Sequence, residues 1–170
     1  MTRPITDRLK QSLFDRLTAM QMLGGHVLDL FAGTGSLGLE ALSRGADHCT
    51  FVEQNRFVRT VLKQNLAALE LSDQATVLPG DALKLGWLDR LTAGTVRVAY
   101  CDPPYRLMHD PPSATQLVML IEAVAPVMER EGVLVLRTEH DTAPPLVRHW
   151  PDTAVSHIYR SMALHLYRAP

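Results

Sequence analysis

Residues 29–35 of this 170-residue chain read Asp-Leu-Phe-Ala-Gly-Thr-Gly and overlap the end of an apolar segment at 26–31. That segment has the length and composition of a buried β-strand. Together with Ser-Leu-Gly at 36–38, the glycines form the string G-x-G-x-x-G between a predicted strand and a predicted helix. A glycine turn in this setting is typical of nucleotide-binding α/β proteins. The stretch therefore predicts an α/β fold with a binding site after the first strand.

The charge of Asp29 indicates which nucleotide-bearing cofactor binds there. A dinucleotide site places pyrophosphate on helix amides, and a carboxylate at the strand tip would repel it. The same carboxylate would attract the α-ammonium group of S-adenosylmethionine, directly or through water. Gly33 and Gly35 would let the backbone pass close to that ligand. We therefore expect S-adenosylmethionine to contact Asp29 and the turn residues Phe31, Ala32, Gly33, Thr34 and Gly35.

Three later positions fit the rest of such a cofactor. Glu53 ends the second predicted strand, twenty residues after Gly33, where a carboxylate can accept hydrogen bonds from both ribose hydroxyls. Asp81, with the backbone amide of Ala82, could bind the adenine edge, although a helix N-cap is an equal alternative for Asp81. Gln54 could cover the adenine face or simply be an exposed polar residue.

A second motif, Asp102-Pro103-Pro104-Tyr105, follows the fourth predicted strand. Asp102 and the Pro103 carbonyl could accept hydrogen bonds from an exocyclic amine and favour a pyramidal, nucleophilic nitrogen. Pro103 and Pro104 restrict the backbone and would hold that carbonyl in one direction, while Tyr105 offers a ring on which a flipped base could stack. The motif therefore predicts methyl transfer to nitrogen, with these four residues as the catalytic set.

Apolar strand-like segments alternate with segments of helical period, which indicates a largely parallel sheet with helices on both faces. Strands are predicted at 26–31, 48–53, 75–78, 96–101 and 132–138, with an antiparallel closing pair at 155–159 and 162–167. A first helix, capped by Thr6, would use Leu9, Leu13, Leu17 and Met20. Later helices are predicted from 36 to 44, along one apolar face of 57–69, briefly after Asp81, and over 114–129.

Composition limits the remaining possibilities. One domain of 170 residues is expected, with a net charge of −1, which disfavours a general polyanion binder but permits a local RNA-binding patch. The two cysteines and scattered histidines suggest no metal site or disulfide framework. Without an apolar span or a recognisable signal peptide, we expect a soluble, cytoplasmic and monomeric protein.

The sequence resembles the small-subunit (16S) ribosomal RNA guanine-N2 methyltransferase D family over nearly its whole length. The resemblance rests on the opening motif from Arg3 to Phe14, residues 29–35 with the helix segment 39–46, residues 51–53, and the double-proline motif. It implies a Rossmann-like class I methyltransferase fold with a seven-stranded sheet, S-adenosylmethionine as cofactor, and guanine N2 of 16S ribosomal RNA as target. Arg3, Thr6 and Arg8 would then contact the RNA, although an ordinary helix start explains them equally well.

Other functions are compatible with parts of the sequence. A DNA adenine or cytosine methyltransferase shares the double-proline motif but needs a separate recognition region. A protein-glutamine methylase commonly has Asn where Asp102 stands, and a nicotinamide oxidoreductase leaves Asp29 and the prolines unexplained. A catalytically silent RNA-binding subunit would not need an intact set of cofactor residues.

Overall fold

The computed structural model describes residues 7–150 and 154–170, which build one seven-stranded mixed sheet. The strands are β1 (His26–Leu30), β2 (His48–Glu53), β3 (Ala75–Pro79), β4 (Val96–Cys101), β5 (Met128–Glu139), β6 (Val155–Ile158) and β7 (Met162–Arg168). Their order in the sheet is β3-β2-β1-β4-β5-β7-β6. The first five strands are parallel, and β7 runs antiparallel between β5 and β6. The predicted parallel sheet with an antiparallel C-terminal pair is thus confirmed.

Helices cover both faces of the sheet, because alternate strand residues point to opposite sides and both sides are apolar. The helices are α1 (Asp7–Ala19), α2 (Ser36–Ser43), α3 (Arg56–Ala68), α4 (Arg106–His109) and α5 (Pro111–Val124). One core cluster joins α1, α2 and α3 to strand residues such as Phe51 and Tyr100. The other packs α5 against strand residues such as Leu28 and Leu134.

Helix α1 is attached to α2 by both packing and charge. Leu9, Leu13, Phe14 and Leu17 are buried, as the helical spacing of the leucines predicts. Lys10 of α1 ion-pairs with Glu40 of α2 at 3.4 Å, and the Arg44 guanidinium at the end of α2 lies over the Phe14 ring, 5.0 Å from its centroid. These contacts hold α1 against α2.

Two predictions about helices are wrong, whereas the helix predicted along 57–69 is present as α3 (Arg56–Ala68). The helix predicted over 114–129 ends at Val124, because Pro126 lacks an N–H group, and Met128 already pairs with β4. The short helix after Asp81 is instead two 3-10 turns, Ala82–Lys84 and Leu88–Arg90. In α3 only Leu62 and Leu66 are buried, whereas Phe57, Val61 and Leu69 are exposed. A helix against a sheet buries a narrower face than the apolar pattern implied.

The antiparallel pair is held to β5 by a buried polar side chain. His165 of β7 is 1% exposed, and its two ring nitrogens lie 2.8 Å from Thr138 Oγ1 and Ser156 Oγ. Burial lowers the pKa of His165, so the folded protein favours the neutral imidazole. Across residues 7–150 and 154–170, no helix combines the length and apolar character that crossing a membrane requires.

Candidate active site

The strand order reverses between β1 and β4, and a cavity opens beyond the carboxyl ends of these strands. Ligands in open α/β sheets bind at such a switch point, because the loops diverge on either side of it. The cavity measures about 300 Å³. Its lining combines the glycine turn, the end of β2, the loop after β3, the double-proline motif and one residue of β5: Phe31, Ala32, Gly33, Thr34, Ser36, Val52, Glu53, Gln54, Gly80, Ala82, Asp102, Pro104 and Arg137. The two sequence motifs therefore share one cavity.

The glycine turn needs its glycines for reasons that differ by position. Gly33 and Gly35 have φ of 57° and 93°, a region that side chains disfavour. A Cβ on Gly35 would stand 2.4 Å from Leu62 Cδ1, so this glycine makes room for the protein's own core rather than for a ligand. A Cβ on Gly38 would lie 2.2 Å from the Phe51 ring, so Gly38 allows α2 to pack closely on β2.

Asp29 lies behind the turn and is absent from the cavity wall. The side chain is 2% exposed, and its Oδ2 accepts a hydrogen bond of 2.9 Å from the Gly38 amide. Burial raises the pKa of Asp29 well above its usual range, and the nearby Asp102 and Glu53 carboxylates raise it further. In this structure Asp29 holds the start of α2 in place. Its predicted contact with the cofactor ammonium group stays a prediction.

The residues predicted for the nucleoside divide into cavity residues and local caps. Glu53 lines the cavity, and its two oxygens accept hydrogen bonds from the amides of Gly33 (2.9 Å) and Asn55 (2.7 Å). Gln54 and Ala82 also line it. Asp81 instead accepts a hydrogen bond from the Leu83 amide at 3.0 Å and caps the turn at Ala82–Lys84. The N-cap alternative thus describes Asp81 here, whereas its adenine contact remains a prediction.

The double-proline motif leaves β4 directly opposite the glycine turn. Asp102 and Pro104 line the cavity, and the Asp102 amide lies 3.5 Å from the Leu30 carbonyl at the end of β1. The Asp102 side chain is 19% exposed, whereas Pro103 is buried and Tyr105 is half-buried beside it. Burial raises the pKa of Asp102, and the Arg137 guanidinium acts in the opposite direction.

Arg137 was missed by the sequence analysis. Its side chain is 2% exposed on β5, and its Nε donates a hydrogen bond of 2.5 Å to Asp102 Oδ1. The guanidinium carbon also lies over the Tyr105 ring, 5.5 Å from the ring centroid. The signal in the sequence is one arginine within the otherwise apolar segment 133–137. A lone charge in a buried strand needs a partner, but sequence alone does not say which one.

A second cavity of about 640 Å³ lies between α1 and the turn that joins β6 to β7. Arg8, Ser12, Tyr159 and Arg160 line it, and Ser12 Oγ lies 2.6 Å from Tyr159 Oη. Met162 also lines this cavity, and its sulfur is 3.6 Å from Arg137 Nη1. The second cavity therefore adjoins the first through Met162. The predicted contacts Arg3 and Thr6 lie outside the described residues.

Comparisons with known proteins agree with this geometry. An Escherichia coli structure provisionally named methyltransferase YhhF has a TM-score of 0.78 and 29% identity, covering 99% of this chain and 88% of that chain. A Bacillus subtilis (strain 168) protein provisionally named rRNA methyltransferase YlbH is 38% identical over 140 residues, which are 82% of this chain and 72% of that protein. Ribosomal RNA small subunit methyltransferase D of Escherichia coli (strain K12) is 39% identical over 105 residues, 61% of this chain and 50% of the relative.

The family model described as Conserved hypothetical protein 95 matches residues 1–168. This match covers both motifs and the whole sheet. The chain therefore belongs to this family, and the resemblance to the small-subunit ribosomal RNA methyltransferase D family that its motifs indicated is confirmed.

Proposed function

We propose that this protein transfers a methyl group from S-adenosylmethionine to small-subunit ribosomal RNA, with the exocyclic N2 amine of a guanine as the acceptor. The observation that carries the proposal is the shared cavity. Glu53 and the glycine turn form one part of its wall, and Asp102 with Pro104 forms another. A donor and an amine held on these walls would meet within one space. The names of the relatives support ribosomal RNA as the substrate class.

The residues of the cavity fit the nucleoside part of the donor. The Glu53 carboxylate can accept hydrogen bonds from two vicinal ribose hydroxyls, and the small side chains of Ala32 and Ala82 leave room for a planar base between apolar walls. When bound, S-adenosylmethionine supplies an electrophilic methyl group on its sulfonium. No charge on the protein is then needed to activate the methyl carbon, so the chain's main task is to align the acceptor and exclude water.

Asp102 and Pro103 would act on the acceptor nitrogen. The Asp102 carboxylate and the Pro103 carbonyl accept hydrogen bonds from the two amine hydrogens, which directs the nitrogen lone pair toward the methyl carbon. The lone pair forms the N–C bond, the C–S electron pair returns to sulfur, and the cationic nitrogen then loses one proton. We assign that proton to the Asp102 carboxylate, because it would already accept a hydrogen bond from that nitrogen.

The RNA chain would enter over the second cavity. Arg8 and Arg160 are exposed there and can contact phosphate, while Met162 in the wall of this cavity contacts Arg137 of the first cavity. Two arginines at the mouth of a buried site explain how a chain with a net charge of −1 can bind a polyanion locally. The protein would encounter an RNA substrate where ribosomes assemble. This supports the cytoplasmic location expected from the sequence.

The proposal is tested by incubating the protein with methyl-labelled S-adenosylmethionine and four acceptors. These are small subunits reconstituted with transcribed 16S RNA, the naked transcript, duplex DNA and total ribosomal protein. Nuclease digestion and mass spectrometry then identify the methylated atom. We expect label in N2-methylguanosine from one or both RNA acceptors. The Asp102→Ala variant should bind S-adenosylmethionine by calorimetry but lose turnover.

Three results would contradict the proposal in different ways. Label found only in DNA or protein would reject the RNA substrate. Label in RNA at an adenine or cytosine amine would keep RNA methylation but reject the guanine target. Unchanged turnover in Asp102→Ala would remove Asp102 from the reaction.

A further inference from the structure

Arg137 is a buried cation in a site whose other charged groups are carboxylates. Among the described residues that line the catalytic cavity, it alone carries a positive charge. Its Nε donates 2.5 Å to Asp102 Oδ1, and its guanidinium lies 5.5 Å from the centre of the Tyr105 ring. A buried charge costs free energy unless it is paired, so this placement requires an acceptor such as Asp102. The sequence of the double-proline motif does not by itself predict a cation at this place.

We propose that Arg137 is a positioning residue for methyl transfer, which orients the Asp102 carboxylate and the Tyr105 ring and keeps Asp102 ionised. A carboxylate has about four acceptor sites, so the bond from Arg137 to Oδ1 leaves Asp102 able to accept an amine hydrogen as well. A guanidinium is planar and its donors have a fixed geometry, so one bond and one ring contact restrict both partners together. This inference rests on the proposed function.

The surroundings of Asp102 explain why a cation matters there. Asp102 lies near Asp29 on β1 and beside the Cys101 thiol on β4, with Glu53 on the cavity wall at the end of β2. Burial raises the pKa of Asp102. The Arg137 guanidinium on β5 lowers that pKa, through its charge and through its hydrogen bond. Without it, a larger fraction of Asp102 would be protonated near neutral pH and unable to accept the amine proton.

A first experiment needs neither RNA nor cofactor. The Asp102 carboxyl carbon is followed by NMR during a pH titration and is assigned by its loss in Asp102→Asn. In Arg137→Met the Asp102 titration should move to higher pH by about one to three pH units, the range expected for a neighbouring arginine. In Arg137→Lys, which keeps the charge but loses the planar donor set, it should stay near the wild-type position.

A second experiment measures kcat and KM against pH on small subunits reconstituted with transcribed 16S RNA. The acidic limb of kcat/KM should move to higher pH in Arg137→Met, in step with the NMR titration. In Arg137→Lys the pH profile should be retained while kcat falls about tenfold or more, since a misplaced carboxylate lowers the rate. The affinity for S-adenosylmethionine should change little in either variant. Arg97→Met is the matched control, because Arg97 is a partly exposed arginine of β4 outside the cavity.

Removal of one partner of a buried ion pair can prevent folding. If Arg137→Met does not fold, Arg137→Lys carries the kinetic comparison, and the double variant Asp102→Asn with Arg137→Met, which leaves no unpaired charge, should fold again. The inference is overturned if Asp102 titrates at the same pH in the wild type and Arg137→Met. It is also overturned if Arg137→Lys loses no more kcat than Arg97→Met. If the wild-type chain methylates no acceptor, the proposed function fails, and the NMR titration still decides the pairing.

Discussion

Substitution of Asp29 separates its structural role from a direct role in binding the cofactor. In the folded protein Asp29 accepts the Gly38 amide at 2.9 Å and is 2% exposed. Asp29→Ala would leave a buried N–H group without an acceptor, at a cost of about 1–3 kcal/mol. For a chain of this size, that corresponds to a decrease in Tm of roughly 2–12 °C. Asp29→Asn keeps an acceptor oxygen of the same shape and should change stability by less than about 1 kcal/mol.

The same pair of variants gives a distinct prediction for cofactor affinity. A direct charge-assisted bond to the ammonium group would be worth about 1.5–3 kcal/mol, so its loss in Asp29→Asn would weaken binding roughly 10- to 150-fold. If Asp29 acts only through the Gly38 amide, as its place behind the cavity wall indicates, Kd should change by less than about threefold, which is under about 0.7 kcal/mol. Calorimetry with S-adenosylmethionine and chemical unfolding measure the two quantities independently.

The pH dependence provides a further check on Asp29. Its folded pKa is raised above the usual 3.8, so its stabilising contribution is present at low pH and is lost as pH rises through the folded pKa. Asp29→Asn should therefore gain stability relative to wild type as pH increases. If Asp29→Asn weakened cofactor binding more than tenfold while Asp29→Ala left the Tm unchanged, the structural role argued for Asp29 would be refuted.

Three further predictions concern packing, RNA binding and pH. Gly38→Ala should destabilise the fold by about 1–3 kcal/mol in urea unfolding, because the added Cβ has no space. Gly86→Ala is the control, because its Cβ meets no atom closer than 3.8 Å, and equal destabilisation by the two variants would contradict this packing. Arg160→Glu should weaken RNA binding and reduce the slope of log K against log salt by about 1, with the exposed Arg90→Glu as control; an unchanged slope argues against phosphate contact. The folded pKa of His165 is lowered from 6.5, so its stabilising contribution is present above pH 6.5 and is lost as pH falls toward the folded pKa. The wild type should therefore lose unfolding free energy between pH 7.5 and pH 5, and His165→Gln should reduce that loss by about 0.5 kcal/mol or more. An identical pH dependence in the two proteins would exclude His165 as its source.

Much of the fold could be predicted because strand formation and turn chemistry are local. The predicted strands 48–53 and 96–101 agree with β2 and β4, since each is an apolar segment of strand length bounded by turn residues. Helix ends were less predictable. The helix before Pro126 ended five residues earlier than the apolar pattern implied, and Phe57 remained exposed on a face that sequence alone could not orient.

The motifs of the candidate site were also recognisable from sequence, but the roles of their side chains were not. Glu53 and Asp102 lie on the cavity wall, as expected from their positions at strand ends. Asp29 and Asp81 occupy comparable places in the sequence, yet their carboxylates accept hydrogen bonds from nearby amides. Glu53 also accepts hydrogen bonds from two amides, so it differs from Asp29 and Asp81 in lining the cavity, which depends on how the following turn packs.

By itself the sequence determined the alternation of strands and helices, the glycine turn and the rigid double-proline segment, because each depends on residues within one or two turns of one another. Only the tertiary structure decided that Arg137 meets Asp102, 35 residues away, and that Met162 joins the two cavities. These contacts follow from the strand order, which is set by burying both faces of the sheet at once. Hydrophobic burial is not directional, so a pattern of apolar residues shows that a strand is buried without showing which strands will be its neighbours.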